Sequence, residues 1–260
     1  HQFHLKEDLK NALAQQEFFL CYQPQLDLRS GDVVGLEALI RWSHPHRGLV
    51  SPGEFIPLLE QTGMIVSVDE WVVNSVCEQL KSWREQNWQV KAAVNLSAQH
   101  FNNGNIVETF RSALKTNGLH ARDVVAEITE TNLMQNMDQA LRILQTFSEW
   151  GMRVALDDFG KGYSCMSYLQ KLGIHVIKID KEFVFGLPEN QNSVILVQTI
   201  INMAHNMGKL VLAEGVETEE QKRMLCDMGC DYGQGFLWSR PLSVENLSLM
   251  ESEVMISNIR

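Results

Sequence analysis

Four carboxylates, Glu37, Glu127, Asp157 and Glu214, each stand at the end of a short apolar run, and Asp158 directly follows Asp157. Gln23, Asn95, Lys178 and Gln234 close four further runs in the same way. Polar residues commonly flank single strands, but a whole series of them points to a shared mouth. Two unit charges about 4 Å apart repel by about 4 kcal/mol at an effective dielectric near 20, so gathered carboxylates must take up protons or hold a cation. Oxygen donors joined by an Asn carbonyl, without a matching set of His or Cys, suit Mg2+ or Mn2+ better than zinc. Adjacent Asp157 and Asp158 can serve two ions, because a chain turning at Gly160 and Gly162 need not keep strict strand alternation. Paired ions about 3.5 to 4 Å apart activate water and stabilise an in-line phosphoryl displacement.

Lys178 lies between Ile177 and Ile179, so alternation sends Lys178 and Asp180 to the opposite face. A simple Lys178–Asp180 ion pair is the plainer reading. Among carboxylates and activated water, a protonated lysine would orient that water or stabilise charge, whereas a Schiff-base lysine needs a desolvated, lowered-pKa amine. Glu130 and Glu217 follow Glu127 and Glu214 by three residues, where carboxylates also favour a helix entrance for electrostatic reasons alone. Arg41, four residues past Glu37, would meet a phosphate or remain solvated.

The elements that must position these groups repeat as helix, glycine, strand. Gly118, Gly151, Gly173, Gly208 and Gly229 each end an amphipathic stretch before an apolar run, where the left-handed conformation stops a helix cheaply. Ser51–Glu54 and Thr218–Gln221 have capping-box spacing, the first with Pro52 in the first turn. Strands are expected over Phe18–Pro24, Val33–Leu39, Val90–Leu96, Val124–Ile128, Arg153–Asp157, Val176–Ile179, Leu210–Glu214 and Asp231–Phe236. Alternating strands and helices mean a mostly parallel α/β sheet, and eight strands favour a closed (β/α)8 TIM-type barrel over an open doubly wound sheet. Only Asp27–Asp32 separates the first two strands, too short for a parallel crossover, so they pair as a hairpin and leave one strand antiparallel.

At 260 residues and 45% hydrophobic content, residues 1–260 are expected to form one such barrel domain. The net charge of −10 argues against any DNA or RNA polymer as partner. Five cysteines without a CxxC pair indicate neither a disulfide framework nor a zinc ribbon and fit a cytoplasmic setting. No apolar run approaches the roughly 20 residues of a membrane span, so no membrane contact by this domain is expected. The first residue is His1 rather than Met, which suggests a domain cut from a longer protein with a sensory, regulatory or membrane-anchoring part elsewhere.

Other motifs fail on inspection. Gly162-Tyr163-Ser164-Cys165-Met166 lacks the last glycine of a nucleophile elbow, and Gly160-Lys161-Gly162 is too short for a phosphate fingerprint. His44 and His46 read as surface-loop histidines near Pro45, and Trp71, Val72, Val73, Val76 and Leu80 as a buried helix face.

At Glu37-Ala38-Leu39-Ile40-Arg41-Trp42 the sequence resembles the EAL family of cyclic di-GMP phosphodiesterases, and the resemblance continues through Asn95-Leu96-Ser97, Glu127-Ile128-Thr129-Glu130, Asp157-Asp158-Phe159-Gly160, Lys178-Ile179-Asp180, Glu214-Gly215-Val216-Glu217 and Gly233-Gln234-Gly235. It spans nearly the whole chain, from Tyr22-Gln23-Pro24 to Ser239-Arg240-Pro241. The resemblance implies a modified barrel with one antiparallel strand and hydrolysis of one phosphodiester bond of cyclic di-GMP to linear pGpG by two Mg2+ or Mn2+ ions. Glu37, Asn95, Glu127 and Asp157 would bind the first metal, and Asp157 and Asp158 the second. Glu214 would be metal contact or general base, Lys178 would hold the nucleophilic water, and Glu217 would act behind them. Glu130 would anchor the loop that begins at Asp158, and Gln23, Arg41 and Gln234 would lie near the substrate. A homodimer is also implied, with that loop coupling the interface to metal occupancy. Relatives commonly differ at Lys161 and at Cys165-Met166, and Phe236 and Trp238 replace the usual Tyr and Phe. The rivals are a domain that binds cyclic di-GMP without cutting it and a Schiff-base or enolising barrel enzyme.

Overall fold

The computed structural model describes residues 2–102, 105–160, 169 and 172–247. The expectations for Lys161 to Met166, and with them the loop beyond Gly160, lie outside these residues. Helix α1 (Gln2–Ala12) precedes a hairpin of β1 (Phe18–Asp27) and β2 (Val33–His44), extended by β3 (Gly48–Val50). Helices α2 (Pro52–Thr62) and α3 (Ile65–Glu85) lead to β4 (Ala92–Asn95), followed by α4 (Ala98–Asn102) and α5 (Ile106–Asn117). A 3-10 turn at Ala121–Asp123 enters β5 (Val124–Thr129), then α6 (Glu130–Gln135), α7 (Met137–Glu149) and β6 (Arg153–Phe159). Beyond come β7 (Val176–Ile179), α8 (Lys181–Val184), α9 (Gln191–Asn206), β8 (Leu210–Ala213), α10 (Glu219–Asp227) and β9 (Tyr232–Gly233).

Eight strands close a barrel in the order β1-β9-β8-β7-β6-β5-β4-β2, with β1 pairing back to β2 and β3 added at the end of β2. Strand β1 is antiparallel to both neighbours, and the other barrel strands are parallel. The modified barrel expected from the hairpin is therefore the fold. Strand β2 runs five residues past the expected Leu39. Strand β3 was not anticipated: three residues after the Pro45 turn carry too little pattern to read as a strand.

Alternation sorts the strand residues between two layers. Outward-facing Leu36, Val94, Ala126, Leu156, Ile177 and Val211 pack against the helices in the main core. The lower barrel interior holds Ala155, Val176 and Leu212. Above this apolar layer lie the buried polar residues Gln23, Gln25, Glu37, Glu127, Lys178 and Gln234, where such barrels ordinarily keep branched apolar side chains.

The start and stop signals form in part. Gly118, Gly151, Gly208 and Gly229 take left-handed conformations at helix ends. Thr218 and Gln221 make a full capping box. Ser51 stands at the N-cap of α2 with Pro52 next, yet its side chain makes no capping bond, so only the proline half of that signal is used. On α3, Val72, Val73, Val76 and Leu80 are buried and Trp71 packs at their edge, as expected. His44 is not a loop residue: it ends β2, is buried, and lies 3.1 Å from Asp8 of α1, while His46 is exposed.

Candidate active site

Lys178 is wholly buried, and its position one residue before the end of β7 points its side chain into the barrel. Four carboxylates, three on other strands and Glu214 just past β8, surround Nζ: Glu127 Oε2 at 2.7 Å, Glu214 Oε1 at 2.8 Å, Asp157 Oδ2 at 3.4 Å and Glu37 Oε2 at 3.6 Å. Asp180 is not one of these partners; its side chain accepts from Glu182 N at the start of α8. The plain Lys178–Asp180 pair is thereby replaced by a cage.

Burial alone would strip the Lys178 proton, but Asp157, Glu127, Glu214 and Glu37 outweigh it and hold its pKa well above the usual lysine value. Burial raises Glu127 well above the ordinary carboxyl range, with Glu37 and Asp157 adding repulsion that Lys178 only partly offsets. Burial likewise pushes Glu214 up to about 8. Glu37 is lowered: burial opposes ionisation, but Lys178 and hydrogen bonds from Asn95 and Gln234 overcome it. One ammonium is too little charge for four carboxylates, so the protons of the cage collect on Glu127 and Glu214.

A carboxamide lattice braces the acids. Gln234 Nε2 donates to Glu37 Oε2 at 2.5 Å and to Gln23 Oε1 at 3.0 Å. Gln25 Nε2 donates to Gln234 Oε1 at 3.1 Å and reaches Glu127 Oε1 at 3.5 Å. Gln23 does not close a strand as expected. Strand β1 runs against the others, and Gln23 reaches the site from mid-strand, paired with Glu37 in the hairpin register. Gln25, two residues on, faces the same interior and had no charge signal to mark it.

Asn95 donates Nδ2 to Glu37 Oε1 at 2.8 Å, which commits its amide nitrogen and not its oxygen. Asp158 adopts a left-handed backbone with φ 55, and the β6–β7 register shifts between Leu156 and Phe159. Across this break in alternation Asp157 and Asp158 come to line the same cavity. Asp157 Oδ1 accepts from Asp158 N at 2.8 Å. Arg41, Asn95, Asp157 and Asp158 line an open cavity of about 440 Å3 at the mouth, together with Asp69.

Asp69, from α3, was missed because it belongs to no strand end. Its Oδ2 accepts from Ser97 Oγ at 2.6 Å and Ser97 N at 3.1 Å, fixing the loop just past Asn95. Glu130 begins α6, buried, and among the described residues neither carboxylate oxygen has a hydrogen-bond partner. Glu217 is exposed just before the Thr218 cap.

The donor set suits a hard divalent ion by chemistry, being carboxylate and amide oxygen. Among the described residues, however, no group of three or more His, Cys, Asp or Glu side chains is arranged to hold an ion. The four carboxylates converge on Lys178 Nζ in this arrangement.

The EAL domain model matches residues 6–241. The bifunctional diguanylate cyclase/cyclic di-GMP phosphodiesterase MucR of Pseudomonas aeruginosa is 39% identical over 249 residues, which cover 95% of this chain and 36% of that protein. The cyclic di-GMP phosphodiesterase NbdA of the same organism is 39% identical over 95% of this chain and 32% of its own length. The chain thus spans about a third of these curated relatives. Among solved structures, the PaMucR phosphodiesterase in complex with c-di-GMP superposes with a TM-score of 0.91 at 38% identity, covering 94% of this chain and 99% of that one. The EAL enzyme Bd1971 in its form bound to cAMP and cyclic di-GMP gives 0.90 at 30% identity, over 95% of this chain and 68% of that one. With a family match over nearly its whole length and relatives of this similarity, the chain belongs to the EAL domain family.

Proposed function

We propose that the domain hydrolyses one phosphodiester bond of cyclic di-GMP, opening the ring to linear pGpG. The observation that carries this reading is the carboxylate cage on buried Lys178. It occurs in a chain 39% identical to two proteins named for that activity. In this reading Glu37, Asn95, Glu127 and Asp157 hold one Mg2+ or Mn2+ ion, and Asp157 with Asp158 holds a second. Such a pair, when bound, supplies an activated water and compensates charge on the phosphate. Charge balance supports two ions once Glu127 and Glu214 have given up their protons: Glu37, Glu127, Asp157, Asp158 and Glu214 against the single Lys178 then leave four negative charges, which two divalent cations cancel.

Lys178 keeps its proton and donates from Nζ to the attacking water, which excludes a Schiff-base role for it. Glu214 takes the proton that water gives up. Its side chain is 19% exposed, against 1% for Glu127 and 7% for Glu37, so it is the carboxylate of the cage most open to an arriving water. Gln234 holds Glu37 in place and is itself braced by Gln23, both near the substrate, and Arg41 at the rim pairs with a phosphate. Glu217 acts behind Glu214, and Glu130 anchors the loop that begins at Asp158. A homodimer in the cytoplasm, within a longer chain bearing a sensory or regulatory domain, belongs to the same proposal; the extra length of MucR and NbdA supports its last part.

Chromatography of cyclic di-GMP incubated with the purified domain and Mg2+ or Mn2+ tests the reading. Linear product that requires the metal is expected. Tight binding without product would replace the enzyme with a receptor.

A further inference from the structure

The end of the barrel opposite the mouth gathers several cations that make no ion pair among the described residues. Lys91 and Arg153 line the barrel floor beneath Ala155, Val176 and Leu212. Arg122 stands near Lys91 in the 3-10 turn before β5. Among the described residues, none of Lys91, Arg122, Arg153 and Lys209 forms an ion pair. Burial and the charges of Arg153 and Arg122 lower the Lys91 pKa, with Asp123 offsetting part of this. Burial, Lys209 and Arg153 do the same to His175. These groups therefore share a positive field, in a chain whose net charge is −10.

Beside Lys91, a cavity of about 340 Å3 opens between the end of α3 and the turn before β5, lined by Arg84, Trp88, Lys91, His120, Arg122 and Asp123. Its size falls within the roughly 300–1,000 Å3 of small-ligand sites. Parts of it are braced. Trp88 is held edge-on by Trp83 at a centroid distance of 4.9 Å, and Arg84 donates to Gly118 O at 3.2 Å. Asp123, the one carboxylate of the lining, accepts from His120 N at 2.9 Å through Oδ2 and offsets only part of the positive field at Lys91.

We infer that this cavity is a second binding site, for a small phosphate ester carrying a planar ring, with the phosphate on Lys91 and Arg122 and the ring against Trp88. Guanidinium and ammonium groups without carboxylate partners are suited to phosphate oxygens, the guanidinium in a bidentate fork. An indole held at one edge offers a rigid surface for a flat ring. The metal-free mouth is a poor competitor for such a ligand, because its excess of carboxylates repels phosphate.

ADP is a suitable probe, titrated calorimetrically into the whole domain in EDTA at low salt. Saturable binding is expected, weakened at least about tenfold in Lys91→Gln/Arg122→Gln. Arg122 is exposed, so Arg122→Gln alone, confirmed folded by circular dichroism, should already weaken it. Pyrophosphate should bind less tightly than ADP, and the difference should vanish in Trp88→Ala. Equal affinity of the wild type for ADP and pyrophosphate would overturn the ring contact. Absence of saturation, or undiminished ADP binding in the double variant, would overturn the site. Binding that is lost in Glu37→Ala but kept in the double variant would move the ligand to the mouth and overturn it equally. Hydrolysis of cyclic di-GMP should be unchanged in the Arg122 and Trp88 variants, so this test is independent of the catalytic reading.

Discussion

Lys178 is shared by more partners than one ammonium can satisfy, and the residue-scale consequences follow from that imbalance. Lys178→Met would keep the volume and remove the charge, leaving buried carboxylates uncompensated. The metal-free variant should lose about 3 kcal/mol or more in urea unfolding, together with its turnover; a stability equal to wild type would show that the cage is not held by charge. Glu37→Ala and Asp157→Ala each remove an acid from the cage, and linear product should fall to background in both. Wild-type product formation in either would break the proposed site. Asp158 adds a different constraint. Its left-handed backbone is tolerable for aspartate and costly for a β-branched residue, so the position selects for shape as well as charge.

At the scale of elements, the site depends on groups that never touch its centre. Asp69 reaches from α3 to hold Ser97 by backbone and hydroxyl, and Asp69→Ala leaves that loop unfastened behind Asn95. The change should cost about 1–3 kcal/mol by thermal or urea unfolding and lower turnover in a folded protein; full activity would show that the loop holds itself. Gly235 packs so closely on the Val216 backbone that no Cβ fits, and Val216 N donates to Gln234 O at 3.1 Å. The segments carrying Glu214 and Gln234 are thus clasped directly. The polar ends of β4 to β8 were legible because alternation and a parallel barrel leave their residues one destination. Charge marked the acids. Gln25 carried no charge, Asp69 came from a helix, and Gln23 sat on the strand whose direction is reversed, so strand-end logic was silent on two of these and placed the third by the wrong reason. His44 was misread because the turn at Pro45 hid the length of β2 and the strand that follows.

For the whole molecule, the cage makes stability depend on pH in a direction opposite to the usual acid case. Glu127 and Glu214 have folded-state pKa values above those of the unfolded chain. Between the ordinary carboxyl value of 4.5 and about 8 the folded domain therefore binds more protons, and metal-free stability should fall as pH rises through that window. Glu37, being lowered, adds a contribution lost only as pH falls toward its folded value. Lys178, being raised, stays charged throughout the window. Thermal melting in EDTA should therefore give a lower midpoint near pH 8 than near pH 5.5, and added Mg2+ should restore most of it at the higher pH. A midpoint that climbs over this range in EDTA would show that the carboxylates of the cage are ionised without cost.

The reversal of β1 also decides where the chain enters the molecule. An all-parallel barrel receives its first strand at the end opposite the mouth, but here β1 starts beside the far end of β2, so α1 stands on the side of the carboxylate mouth. Asp8 of α1 grips His44 at 3.1 Å, and Glu17, between α1 and β1, accepts from Trp42 Nε1 at 2.9 Å. Both contacts fall on β2, the strand that carries Glu37. The first helix is thereby tied directly to the strand that carries Glu37, with no other strand of the barrel between them.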